Sequence, residues 1–99
     1  MIDLSSVEGF DWDEGNSRKS LDKHGVGQIE AEQVLLGGAL VSPDIGHSKH
    51  EERFQALGET IQKRGLHVTF TLRDEGRKIR VISARDMNRK ERAIYDQST

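Results

Sequence analysis

Between residues 66 and 73 apolar and polar side chains alternate without a break. Leu66, Val68, Phe70 and Leu72 fall on one side of an extended chain, and His67, Thr69, Thr71 and Arg73 fall on the other. A period of two predicts a strand with one buried face. Strand-like segments at 53–61 and 78–85 flank it, separated from it by turns that contain Gly65 and Gly76. The first half of the chain has a different period. Asn16 or Ser17 can cap a short helix that reaches about His24, with Gly25 as its left-handed stop. A second helix is predicted over 27–36, where Ala31, Val34 and Leu35 follow the i, i+3, i+4 spacing before Gly37-Gly38 ends it. Pro43 reads as part of a polar loop with Asp44, His47, Ser48 and His50. Asn88 followed by Glu91 resembles a capping box and starts a closing helix. The expected architecture is α+β over a single domain, 1–99: two N-terminal helices, a three- to four-stranded antiparallel sheet, and a C-terminal helix.

Burial of one face also predicts a strand register. A hairpin through Glu75-Gly76 sets Leu72 opposite Ile79 and Phe70 opposite Val81, which leaves Arg80 beside Thr71 on the other face. Pairing Phe54 with Leu72 and Ala56 with Phe70 sends Gln55, Leu57 and Glu59 to that same face, with Glu59 opposite His67. The predicted polar face therefore gathers Glu59, His67, Thr71, Arg73 and Arg80. A carboxylate, an imidazole and guanidinium groups on a rigid surface are the parts of a metal-free phosphodiester cleavage site. One group can remove a ribose 2′-hydroxyl proton, and arginine can stabilise charge growing on the phosphoryl oxygens. The competing reading is a solvated face tied by cross-strand ion pairs. Arg80 and Arg85 are five positions apart, so strict alternation sends them to opposite faces, with Arg85 leaving the strand near its end.

Charge sharpens this picture. The 99 residues carry 15 Lys+Arg and 17 Asp+Glu, a net charge of −2. Residues 1–52 hold four basic and eleven acidic side chains, a net of −7, whereas residues 53–99 hold eleven basic and six acidic, a net of +5. The strand-rich half is therefore suited to a polyanion. Hydrophobic residues make up 33% of the chain and charged residues 32%, enough apolar material for one thin core. There are no cysteines, which excludes disulfides, thiolate metal sites and thiol nucleophiles. No apolar run approaches the roughly 18 residues of a membrane-spanning helix, and the start lacks the layout of a secretory signal, so a cytoplasmic protein is expected. Asp44, His47, His50 and Glu51 could ligate a metal, but no predicted element holds them, and a polar loop is the plainer reading. Phe10 and Trp12 could stack on a base; packing of the opening segment onto the core explains them as well.

Taken together, five segments resemble the BrnT family: Phe10-x-Trp12-Asp13-Glu14; Lys23-His24-Gly25-Val26; Asp44 and His47 before Glu51-Glu52-Arg53; Ile79-Arg80-Val81-Ile82-Ser83-Ala84-Arg85; and Glu91-Arg92 with Tyr95. The similarity runs from about residue 10 to 96. It departs from the family at Ser20, where asparagine is usual, and at His67, where an aliphatic residue is usual. The resemblance implies a RelE-like fold and a ribonuclease toxin of a type II toxin–antitoxin system, working without a metal or other cofactor. It also implies a co-encoded BrnA-like antitoxin with a ribbon-helix-helix region, through which operator DNA is met. Arg80 and Arg85 carry over from the family pattern, while Glu59 and His67 rest on the strand register alone. The expected function is an endoribonuclease that cleaves RNA by 2′-hydroxyl attack, with Arg80, Arg85, Glu59 and His67 as candidate catalytic residues. The alternative is a non-catalytic module that binds the antitoxin or nucleic acid.

Overall fold

The strand pattern materialises as a sheet whose apolar face carries the core. In the computed structural model, which describes residues 4–47 and 50–98, the elements run β1 (Gly9–Phe10), α1 (Glu14–His24), α2 (Gln28–Leu36), β2 (Leu40–Pro43), a 3₁₀ turn (Ile45–His47), β3 (Arg53–Glu59), β4 (Gly65–Arg73), β5 (Lys78–Asp86) and α3 (Arg89–Ser98). The sheet has five strands in the order β1-β5-β4-β3-β2; β1 runs parallel to β5 and the remaining pairs are antiparallel. The expectation of a three- to four-stranded, purely antiparallel sheet is thus corrected by two edge strands. β1 is two residues long and β2 four, too short and too exposed to show a period. Pro43 ends an edge strand, where its missing N–H costs no ladder bond.

Val26, Ala31, Val34 and Leu35 from the helical layer pack on Phe54, Ala56, Leu66, Val68, Phe70, Ile79, Val81 and Ala84 of the sheet. Full burial of side chains such as Phe70, Leu66 and Ile79 contributes about 1.5–3 kcal/mol each. Phe10 and Trp12 stack with ring centroids 6.4 Å apart and pack against this core, the plainer of their two readings.

Local chemistry sets the helix ends. Asp13, not Asn16 or Ser17, caps α1: its carboxylate accepts the Asn16 N–H, while the Asn16 side chain accepts the Asp13 N–H. Gly25 stops the helix at φ 67°, as its lack of a Cβ permits. Beyond Phe10 no strand among the described residues pairs with the outer edge of β5, and α1 lies there in its place. The Asn16 amide donates to the Val81 carbonyl at 3.1 Å, and the Ser20 hydroxyl accepts the Ala84 N–H at 2.8 Å. Ser20 thus does a definite job at a position where the family pattern carries asparagine.

The decisive irregularity lies in β5. Phe70 pairs with Val81 but Thr69 pairs with Ser83, so Ile82 is an extra residue. Before the bulge Thr71 faces Arg80, and after it His67 faces Arg85. Thr71 and His67 share a face of β4, so the extra residue puts Arg80 and Arg85 on one face, correcting the opposite-face expectation. The β3–β4 register is also shifted by two residues from the expected one. Phe54 pairs with Phe70, Leu57 lies opposite His67, and Glu59 lies opposite Gly65. A two-residue shift preserves which side chains share a face but moves Glu59 away from His67. Among the described residues no helix is long and apolar enough to cross a membrane.

Candidate functional site

The polar face of the sheet is a groove made of three connected recesses. The middle one, about 410 Å³, is lined by Lys19, Asp44, His47, Arg53, Gln55, His67, Arg85 and Glu91, among others. It shares Gln55, His67 and Glu91 with a recess of about 450 Å³ beneath α3, whose walls include Leu40, Leu57 and Ile94. In the other direction it shares Lys19, Arg53 and Ile82 with a recess of about 330 Å³ that also contains Arg73 and Arg80. Six cationic side chains (Lys19, Arg53, Arg73, Arg80, Arg85, Lys90) line this path, against the carboxylates Asp44, Glu51 and Glu91. The excess of positive charge seen in residues 53–99 is therefore concentrated on one surface, joined by Lys19 from α1.

A polar chain crosses the middle recess. The Nδ1 of His47 lies 3.1 Å from both carboxylate oxygens of Asp44. Gln55 also hydrogen-bonds the Asp44 carboxylate, and its Oε1 lies 3.3 Å from His67 Nε2. Because Gln55 donates its amide to Asp44, its carbonyl is left to accept from His67, which assigns the proton of a neutral His67 to Nε2. His67 Nδ1 is buried with no hydrogen-bond partner among the described residues. Burial and the nearby Arg85 cation push the His67 imidazole below its usual pKa, with Glu91 opposing, so the ring is neutral at pH 7. Burial alone would raise Asp44, but the hydrogen bonds from His47 and Gln55 outweigh it and hold the carboxyl below the usual range.

Arg85 is gripped by Glu91 of α3 through two parallel bonds of 2.8 and 2.9 Å. That guanidinium, opposed by partial burial, lowers the Glu91 carboxyl to about 2. Glu91 also accepts the Asn88 N–H at 3.0 Å while Asn88 accepts the Glu91 N–H, so the capping box expected at Asn88 is formed by the same carboxylate that holds Arg85. Arg80 contacts Asp13 at 2.9 Å and Asp11 at 3.5 Å, tying β5 to the α1 cap.

Of the four expected site residues, Arg85 and His67 share the middle recess, and Arg80 lines the neighbouring one on the same face. Glu59 lines none of the three; it pairs with Arg92 at 2.9 Å and helps to seat α3. Its displacement follows from the two-residue register shift. Lys19, Arg53 and the Asp44–His47 pair are among the groove residues absent from the expected set. The sequence offers Asp44 and His47 as a possible metal pair and as part of the family resemblance, in a loop with no visible scaffold. The structure supplies one: Asp44 N–H donates to the Arg53 carbonyl at 2.8 Å, and the 3₁₀ turn brings His47 back over the carboxylate. An Asp-x-x-His spacing next to a proline is the signal that was there to use. Among the described residues no three His, Asp or Glu side chains converge in a way that would hold a metal ion.

The sequence model of the family described as the ribonuclease toxin BrnT of type II toxin–antitoxin systems matches residues 12–91. No curated protein matches the chain. Among solved structures, the Brucella abortus ribonuclease toxin BrnT superposes with a TM-score of 0.62 at 26% identity, covering 82% of this chain and 97% of that one. With the family pattern matched over most of its length and the fold shared with a solved BrnT toxin, this chain belongs to the BrnT family of ribonuclease toxins of type II toxin–antitoxin systems.

Proposed function

We propose that the protein is a metal-independent endoribonuclease toxin, built on a RelE-like scaffold, that cleaves RNA by attack of a ribose 2′-hydroxyl on the adjacent phosphate. The observation that carries this reading is the continuous groove over the polar face of the sheet, lined by four arginines of the strands together with Lys19 of α1 and Lys90 of α3. An RNA strand laid along it would meet Arg80 and Arg73 at one end, Arg53 and Lys19 in the middle, and Arg85 beside His67. Its backbone charge would supply much of the affinity.

In this reading Arg85 stabilises the charge that develops on the phosphoryl oxygens as the O2′–P bond forms and the P–O5′ bond breaks. For that it must exchange Glu91 for phosphate, a like-for-like swap of one bidentate anion for another. Arg80 holds the strand further along the groove, and neutral His67 supports the floor of the recess beside Arg85 through its bond to Gln55. Glu59 acts at a distance, by seating α3 through Arg92. The family implies an antitoxin partner and an RNA substrate. We assign the partner as a co-encoded, BrnA-like ribbon-helix-helix protein that covers the basic groove and alone contacts operator DNA.

The test is cleavage of a defined RNA by purified protein in EDTA, with the products' ends identified. The reading expects a 2′,3′-cyclic phosphate and a 5′-hydroxyl. Cleavage that requires a divalent cation, or products with a 5′-phosphate, would exclude it. Absence of cleavage with retained RNA or antitoxin binding would favour the non-catalytic module.

A further inference from the structure

The cleavage reaction needs a group to take the 2′-hydroxyl proton, and neither arginine nor the buried His67 is well placed to do so. The His67 Nε2 is committed to Gln55, and its Nδ1 is buried. The Glu91 carboxylate is held by Arg85 and lowered to about 2, which makes it a weak base. His47 differs from both. Its side chain is 72% exposed at the rim of the middle recess, while its partner Asp44 is 10% exposed.

With Nδ1 donating to the Asp44 carboxylate, the Nε2 edge of the ring faces away from Asp44 and is the one that can accept a proton. Asp44 is itself fixed from two other sides, by Gln55 and by its own N–H to the Arg53 carbonyl. A carboxylate that is buried, ionised and hydrogen-bonded by two side chains, holding one nitrogen of an accessible imidazole, sets the tautomer and orients the ring for proton transfer. Arg53 and Arg85 line the same recess, so a phosphate held there lies within the volume His47 borders.

The geometry points to His47, oriented by Asp44, as the general base of the cleavage reaction. This rests on the ribonuclease reading above and adds to it the residue that starts the chemistry. His47 Nε2 accepts the proton of the 2′-hydroxyl; the freed oxygen forms the O2′–P bond; the P–O5′ bond breaks, and the departing 5′ oxygen takes a proton from water in the open cleft. Asp44 is a positioning residue: it orients the His47 ring and touches no reacting atom.

Single-turnover cleavage in EDTA tests this with His47→Ala, His47→Gln and Asp44→Asn, beside Arg85→Ala as a comparison. The expected loss at His47 is ~100-fold or more, the usual scale for a positioned proton-transfer group. Affinity for an RNA with 2′-deoxy sugars, which cannot be cleaved, should stay within about twofold of wild type, since the contact removed is one to the reacting hydroxyl. Added imidazole should restore part of the activity of His47→Ala and none to Arg85→Ala. Asp44→Asn should lower the cleavage rate while preserving that affinity. A folded His47→Ala protein that cleaves at the wild-type rate overturns the base assignment and leaves the ribonuclease reading intact. Lost cleavage accompanied by equally lost affinity for the deoxy RNA overturns it too, because it marks His47 as a binding residue. Wild-type protein that cleaves only with a divalent cation removes the reading itself, and the base assignment with it.

Discussion

Replacing Glu91 by glutamine should destabilise the protein in a pH-dependent way that the geometry specifies. Glu91→Gln keeps the size of the side chain and an acceptor for the Asn88 N–H, but removes the charge that pairs with Arg85. The folded-state pKa of Glu91 is depressed from 4.5 to about 2, so the folded protein binds this proton less readily than the unfolded chain does. The resulting stabilisation is complete above the unfolded value and is lost as pH falls toward 2. At 1.36 kcal/mol per unit the ceiling is about 3.4 kcal/mol. Arg85 is 37% exposed, so solvent screening cuts this to about 1.5 kcal/mol. For a domain of this size that is a fall in Tm of about 6–12 °C at pH 7. Thermal unfolding followed by circular dichroism, on both proteins at pH 7 and at points down to pH 2.5, reads the effect. The gap in Tm should be full at pH 7 and shrink steadily below pH 4.5. A gap of the same size throughout would show that glutamine disturbs packing or the α3 cap, and that the ion pair contributes nothing measurable.

Three further outcomes are expected. Arg80→Lys should fold normally and weaken affinity for an uncleavable deoxy RNA by roughly fivefold, the scale of one lost hydrogen bond of about 1 kcal/mol; a lowered Tm with undiminished affinity per folded molecule would instead restrict Arg80 to clamping Asp11 and Asp13. Arg64 bonds Asp86, Glu30 and the carbonyls of His24 and Gly25, joining the start of β4 and the end of β5 to the α1–α2 junction. Arg64→Met should therefore lower stability by about 2 kcal/mol, reduced from the sum of the bonds because Asp86 is largely exposed, and urea unfolding with an unchanged midpoint would contradict that crosslink. Association with the antitoxin, measured by stopped flow, should slow as salt rises, because attraction between the basic groove and an acidic partner surface is screened; a salt-independent rate would place the antitoxin elsewhere.

How much of this was legible in the sequence depended on whether one physical constraint was enough to decide it. The face assignment of β4 was legible because burial of Leu66, Val68 and Phe70 forces a period of two. The translation of β3 along β4 was not, since pairing Phe54 with Leu72 or with Phe70 buries the same face; the turn between the strands, with Lys63 at φ 71°, decides it. The bulge had a faint signature. The buried residues of β5 are Ile79 and Val81, then Ala84, a change from odd to even that the apolar Ile82 disguises. Missing that one residue separated Arg80 from Arg85. The Asp44–His47 pair was unreadable for another reason: its scaffold is a hydrogen bond to Arg53 and a single 3₁₀ turn, neither of which leaves a periodic mark.

The way α1 lies along β5 has a consequence for how copies of this chain meet in a crowded cell. An open strand edge invites another chain to add a strand, which is a route to aggregation. Here the Asn16 amide and the Ser20 hydroxyl occupy hydrogen-bonding groups of β5 at Val81 and Ala84 that an incoming strand would need. The opposite edge, β2, is only four residues long and ends in Pro43, which has no N–H to offer. At one border a two-residue β1 and the side chains of α1 leave little of β5 open, and at the other the strand is too short to serve as a template, so both borders discourage copies of the chain from joining sheet to sheet.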